Sequence, residues 1–189
     1  MMALPKKINL GSGKNFRAEY LNVDVNPLWK PDLIWDISRS IVLSRHTDRF
    51  GMIVIQQGWF EEILANDVLE HVWDIVNLMT NCLRLLRVGG RMEILVPYDL
   101  SLGAWSDPTH IHGFNQRSWL YYTDWFWYLN WTTHRFKMID LQYGMEEGIS
   151  FSPEIINVPR CVACMKVTLE KVALTEEEKE TAGKYYARV

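Results

Sequence analysis

The stretch KINLGSGKN, residues 7–15, decides how this chain is read. Four strand-forming residues, Lys7 to Leu10, run straight into the turn Gly11-Ser12-Gly13. Glycine lets backbone approach a ligand closely, and the amides after such a turn can hold an anionic group. As a dinucleotide fingerprint the stretch is incomplete: Phe16 stands three residues after Gly13, where another glycine is expected. That counts against a nicotinamide or flavin cofactor. The turn gains weight from the order of the next strands and their acidic ends. Asp24 stands near the end of a second strand, YLNVDV (20–25), where a carboxylate can accept both hydroxyls of a ribose. Asp36 stands near the end of a third, DLIWDI (32–37), placed to meet an adenine amino group. In open α/β sheets ligands bind outside the carboxyl ends of strands, so Gly11, Asp24, Asp36, Asn66 and Asp67 would face one crevice.

Further along, EEILAND (61–67) reads as a fourth strand and RMEILVP (91–97) as a fifth. Between them Val68, Val72, Ile75, Val76, Met79, Cys82, Leu83 and Leu86 keep the spacing of one buried helical face. Asp67 with Glu70 makes a capping-box-like start for that helix, and Gly89-Gly90 an αL stop. Residues 98–118 read as a long loop. HRFKMIDLQYG (134–144) and CVACMKVTLEKV (161–172) read as two late strands without a crossover helix, an antiparallel pair at one sheet edge. Thr175 and Glu178 open the charged tail with a capping box, leading into a solvated helix or a frayed end. The expected architecture is Rossmann-like α/β, a three-layer sandwich on a mostly parallel seven-stranded sheet. Residues 1–174 form one domain, 98–133 give its substrate-side loop and aromatic segment, and 175–189 the tail.

The series INLGSGKN, LNVDVNP, IWDIS, EEILANDVLEHV and LRLLRVGGRMEILVP resembles the class I S-adenosylmethionine-dependent methyltransferases, closest to their compact small-molecule type. The resemblance covers residues 7–115, and the two late strands fit the family's antiparallel edge. It implies S-adenosylmethionine as cofactor. By position, Gly11 and Gly13 would meet its methionine end, Asp24 its ribose, and Asp36 with Ile37 its adenine. Asn66 and Asp67 would lie under the sulfonium. Two departures stand out: Asn9 replaces the family's usual acidic residue before the first glycine, and Val23 follows Gly13 by only ten residues, which shortens the first helix. Residues 38–60 fit the pattern poorly, since RFGMIVIQQGW inserts strand-like material. Each carboxylate has a plainer reading too. Asp24 and Asp36 are common turn formers at strand ends, and Asp67 and Glu70 common caps.

After the fifth strand stands SDPTHIHGFN (106–115), over the methyl group if the resemblance holds. His110 and Asp107 are its candidates for acceptor contact or general base. His71 and His112 are candidates for substrate binding, as is Trp125. A metal reading would join His110 and His112 to Asp107 or Asp99, but a lone H-x-H is a weak signal and no metal is expected. Self-bonding of a polar loop is the third reading. In WLYYTDWFWYLNW (119–131) eight of thirteen residues are aromatic, too many for a single core stripe, so some should line a substrate pocket or a homodimer surface. Cys161 and Cys164 form C-x-x-C inside a strand pattern, which suits structural cysteines better than a redox or zinc motif.

Twenty basic against 23 acidic residues give a net charge of −3, so a nucleic-acid partner is not expected. No apolar run approaches the roughly 20 residues of a membrane helix, and MMALPKKINLGSG lacks a signal-peptide core. A cytoplasmic protein without a membrane partner is the expectation. The functional expectation is methyl transfer to a small-molecule or glycan-type acceptor, at oxygen, since a base-bearing loop would face the crevice. The alternative is a non-catalytic relative that serves as a cofactor-binding or interaction module.

Overall fold

The computed structural model describes residues 4–39, 41 and 44–186. Its strands are β1 (Lys7–Leu10), β2 (Leu21–Asp24), β3 (Leu33–Ile34), β4 (Ser44–Thr47), β5 (Gly51–Val54), β6 (Phe60–Asn66), β7 (Leu86–Pro97), β8 (His134–Met145) and β9 (Val162–Ala173). Seven of them form one sheet in the order β3-β2-β1-β6-β7-β9-β8, while β4 and β5 pair as a separate hairpin. The strands from β3 to β7 run parallel, and β9 and β8 close the edge antiparallel. This is the expected Rossmann-like α/β sheet. Ile63, Leu64 and Ala65 are buried one after another, as a parallel strand covered on both faces requires. The strand-like insertion in 38–60 is the β4–β5 hairpin.

The clearest helix begins later than its apolar pattern suggests. Helix α1 spans Ile75–Leu85, and Asp74 caps it by accepting the Asn77 N–H at 3.0 Å. Residues 69–71 make only a 3-10 turn, and Asp67 sits at φ 52°, so Asp67 and Glu70 do not form a capping box. The turn instead drives Leu69 into the core, fully buried. Nor does Gly89-Gly90 stop the helix: β7 begins at Leu86 directly, and the glycines bend the strand where its pairing with β6 shifts register. A Cβ on Gly90 would meet the Arg87 and Phe60 carbonyl oxygens at 2.9 and 3.0 Å. Backbone oxygens cannot move aside cheaply, so Gly90→Ala is expected to cost about 1–3 kcal/mol in urea denaturation.

No helix links β1 to β2; residues 11–20 are turns. Side chains satisfy the backbone there instead. Buried Asn22 accepts from the Arg17 N–H at 2.9 Å and from Asn9 Nδ2 at 3.0 Å, and donates to the Arg17 and Tyr20 carbonyls. Arg49 ties the hairpin region to the same place through Asp32 at 2.8 Å and the Ala18 carbonyl at 2.9 Å.

The loop 98–118 contains a short helix, α2 (Leu102–Ser106). The aromatic segment is not one α-helix but two 3-10 turns, Ser118–Tyr122 and Phe126–Leu129, closed by Asn130 in the left-handed region. Runs of aromatic side chains lose rotamer freedom in a helix, and packing sets the shape here. Trp119, Tyr122, Phe126 and Trp131 join the core, and burial pushes the Tyr122 phenol up to about 12. Helix α3 (Glu176–Tyr186) starts at the expected Thr175–Glu178 capping box, with bonds of 2.9 and 3.2 Å. It is not a free tail: Ala182 is buried, Glu178 pairs with Arg135 at 2.6 Å, and Tyr185 stacks on Trp127 at 3.8 Å. Cys82 is buried, Cys161 and Cys164 are half-buried, and all three are free thiols. Among the described residues no helix is long and apolar enough to cross a membrane.

Candidate functional site

A cleft of about 1140 Å³ opens at the carboxyl ends of β1 and β2 and beside the turn after β6. Its wall includes Gly11, Gly13, Asp24, Asp36 and Ile37 together with Asp67, His71 and Thr109. The glycine turn is built for this position. Gly11 and Gly13 take φ of 56° and 45°, and a Cβ on Gly11 would collide with Val68 Cγ2. The Ser12 N–H reaches back to the Val23 carbonyl at 3.0 Å, and the Gly13 N–H donates to Asp24 Oδ2 at 2.8 Å. Asp24 Oδ1 accepts the Asn26 N–H, also at 2.8 Å. The two turns that flank the cleft therefore hang on one nearly buried carboxylate. Each of its oxygens keeps a second lone pair for a ligand hydroxyl.

Asp36 lies on the cleft wall, but its carboxylate is engaged with the Ser38 N–H and hydroxyl (3.0 and 2.6 Å) and with Arg39 at 3.0 Å. Asn9 and Asn66 line a smaller neighbouring cavity of about 320 Å³ with Gly11, Asn15, Phe16 and Arg17. The buried Asn9 amide donates to the Asn15 carbonyl at 2.9 Å and to Asn22. Three tryptophans, Trp29, Trp35 and Trp73, also stand on the wall. Trp35 falls within IWDIS, while the other two are marked only by position, a few residues after Asp24 and Asp67.

Beyond His71 the loop 106–115 is stitched to the 3-10 turn at 69–71. The Ile111 and His112 N–H groups both point at the Glu70 carbonyl, at 2.8 and 3.3 Å. Asp107 Oδ1 accepts the Thr109 N–H and hydroxyl at 2.8 and 2.6 Å, which hold its carboxyl below the usual range. The Thr109 oxygen lies 2.9 Å from His71 Nδ1. With its hydrogen given to Asp107, that oxygen accepts from the imidazole and leaves His71 Nε2 as the acceptor nitrogen. His110 Nδ1 likewise faces the Ala104 carbonyl at 2.9 Å, which fixes its proton on Nδ1. Its ring meets the His71 ring edge-on at 4.6 Å and stands behind the cleft wall. His112 Nε2 is held by the Val72 carbonyl at 2.9 Å, a structural role. Trp125 packs against Tyr121 and does not border the cleft.

Glu70 is the residue that a helix-cap reading hides. It is 1 % exposed, and neither carboxylate oxygen has a hydrogen-bond partner. Burial pushes its carboxyl up to about 7; Asp67 and Asp107 add to the rise, and its own amide and His110 oppose it.

No protein-family model matches the chain, and no curated protein matches it in sequence. Solved structures do. A SAM-dependent methyltransferase from Archaeoglobus fulgidus superposes with a TM-score of 0.53 at 12% identity, over 89% of this chain and 86% of that one. The [4+2]-cyclase SpnF gives 0.57 at 11% identity, over 88% and 75%. The N-methyltransferase NodS from Bradyrhizobium japonicum, solved with S-adenosyl-L-homocysteine, gives 0.50 at 11% identity, over 89% and 78%. Sheet order, glycine turn and the matched length of chain agree on one conclusion: this chain has the fold of the class I S-adenosylmethionine-dependent methyltransferases.

Proposed function

We propose that the chain is an S-adenosylmethionine-dependent methyltransferase that methylates a hydroxyl of a small-molecule or glycan-type acceptor. One observation carries this reading: the same cleft is lined by the Asp24-anchored glycine turn and by His71 and Thr109, which Asp107 holds from outside the wall. The donor set fits the cofactor. Asp24 would accept the ribose hydroxyls, the Gly11–Gly13 backbone would border the methionine end, and Trp35, Asp36 and Ile37 would border the adenine. When bound, the cofactor supplies an electrophilic methyl group. The chain's own residues then have to hold an acceptor in line with it, which is worth about 7–11 kcal/mol when well oriented.

On the acceptor side His71 is the group that reaches the cleft. Its Nε2 accepts a hydrogen bond from the hydroxyl, while Thr109 and Asp107 fix the ring. His110 supports His71 from behind, and Trp73, 84 % exposed, offers a flat apolar face to an acceptor. His71→Ala is expected to lower turnover about 100-fold or more, as loss of a positioned acid–base group does, with cofactor affinity changed only a few fold. Incubation with a methyl-labelled cofactor and panels of hydroxylated small molecules and glycans checks this. Equal losses of turnover and affinity would mean that His71 only shapes the cleft.

A second reading, a cofactor-binding module without turnover, draws on the bare β1–β2 connection, where turns stand in place of a covering helix. Binding of S-adenosyl-L-homocysteine with no transfer to any acceptor would favour it.

A further inference from the structure

We infer that Glu70, His71 and His110 form a site for one divalent transition-metal ion, of the zinc class, behind the acceptor end of the cleft. One ligand atom from each of these three side chains lies within 4.8 Å of the other two. In a tetrahedral site, bonds of about 2.0–2.2 Å place ligand atoms roughly 3.4 Å apart, so side-chain movements of about an ångström, within reach of a rotation of the exposed His71, close the site.

Three observations point the same way. First, Glu70 is a buried carboxylate with both oxygens unpartnered, an expensive arrangement without a cation. Second, His110 Nε2 stands 4.0 Å from Glu70 Oε1 and 3.9 Å from Asp107 Oδ2, too far for hydrogen bonds. With Nδ1 facing the Ala104 carbonyl, Nε2 is the nitrogen turned toward the two carboxylates. Among the described residues no lysine or arginine forms an ion pair with Asp67, Glu70 or Asp107. Third, both histidines give their Nδ1–H to an oxygen, Ala104 carbonyl for one and Thr109 hydroxyl for the other. That outer contact fixes the tautomer and leaves Nε2 free, as in metal-ligating histidines.

Two imidazoles and one carboxylate suit zinc, iron(II) or manganese(II) better than magnesium or calcium, which favour oxygen. Three protein ligands leave a coordination position open on the side of the cleft. The ion's role rests on the methyltransferase reading: it would hold and polarise the acceptor hydroxyl, where a bare His71 would only accept its hydrogen. The site itself stands on the residues alone.

Calorimetric titration of the metal-stripped full chain with Zn²⁺, Mn²⁺ and Mg²⁺ tests it, beside Glu70→Gln, His71→Ala, His110→Ala and the remote control His46→Ala. One equivalent of Zn²⁺ is expected to bind wild type and His46→Ala alike and to raise their Tm. The three ligand variants should lose at least about 100-fold in affinity, beyond the 10–100-fold typical of outer-shell partners. His71 is exposed, so its variant reports on ligation even where Glu70→Gln or His110→Ala melts early. Absence of Zn²⁺ binding to wild type would overturn the proposal. So would unchanged affinity in His71→Ala and Glu70→Gln, or Mg²⁺ binding as tight as Zn²⁺. Because the readout is metal affinity, a chain that binds Zn²⁺ but not S-adenosyl-L-homocysteine would uphold the site and refute the cofactor reading.

Discussion

Asp24→Ala is expected to weaken S-adenosyl-L-homocysteine binding by about 100- to 10,000-fold. Two hydrogen bonds from ligand hydroxyls to an ionised carboxylate contribute about 1.5–3 kcal/mol each, and 1.4 kcal/mol is a factor of ten. The loss is compounded because the same carboxylate organises the protein. Without it the Gly13 and Asn26 amides lose their acceptor, and the glycine turn loses its tie to the end of β2. Asp24→Asn separates the two contributions: one amide oxygen can still take the Gly13 N–H, but only one acceptor remains. Its affinity should fall between wild type and alanine, with a Tm close to wild type. Unchanged affinity in Asp24→Ala would remove the ribose assignment.

For stability, the largest fully buried side chain among the described residues lies in the aromatic segment. Trp119 is fully buried, stacks on Phe114 at 5.6 Å and contacts the Tyr122 ring. Trp119→Ala should cost about 3–5 kcal/mol in chemical denaturation, by lost burial and the cavity left behind. Against a total stability of about 5–15 kcal/mol, that is a large part of the margin. Trp119→Phe is the informative comparison. The indole Nε1–H is buried without a partner, so the swap keeps an aromatic plane and discards an unsatisfied donor. It should cost clearly less than alanine, because the phenyl ring leaves a smaller cavity. A loss as large as alanine's would show that the indole's shape, not its aromatic area, holds the loop 98–118 in place.

The sheet is legible in the sequence because its signals are local. Short apolar strands ending in Gly11, Asp24 and Asn66, and two late strands without a helix between them, leave one arrangement open. The start of α1 is misplaced by the Asp67-x-x-Glu70 pattern, because the docking of Leu69 and the left-handed Asp67 break that turn and the cap falls to Asp74. For the candidate site, strand-end logic gathers Gly11, Asp24, Asp36 and Asp67 around one cleft, which Gly13, Ile37 and His71 also line. Asn9 and Asn66 fall instead on the adjoining smaller cavity. Loop logic does worse. His110 and His112 are two residues apart, yet one points at Glu70 and the other at the Val72 carbonyl, and only tertiary packing separates them. Trp125 and its neighbours pack among themselves and on α3, a destination that aromatic density cannot reveal. Glu70 escapes notice because a capping glutamate and a buried orphan carboxylate look alike in sequence.

If the Asp24-anchored cleft takes an S-adenosyl nucleoside, the wild-type chain must bind S-adenosyl-L-homocysteine. Titration calorimetry with that ligand, paired with a thermal melt, measures this without any acceptor in hand. One-site binding is expected, with a stabilisation approaching about 2.7 kcal/mol when the ligand is at 100 times its Kd. No heat and no shift in Tm at ligand concentrations of about 1 mM, which corresponds to a binding energy of only about −4 kcal/mol, would contradict the cofactor assignment and the function built on it.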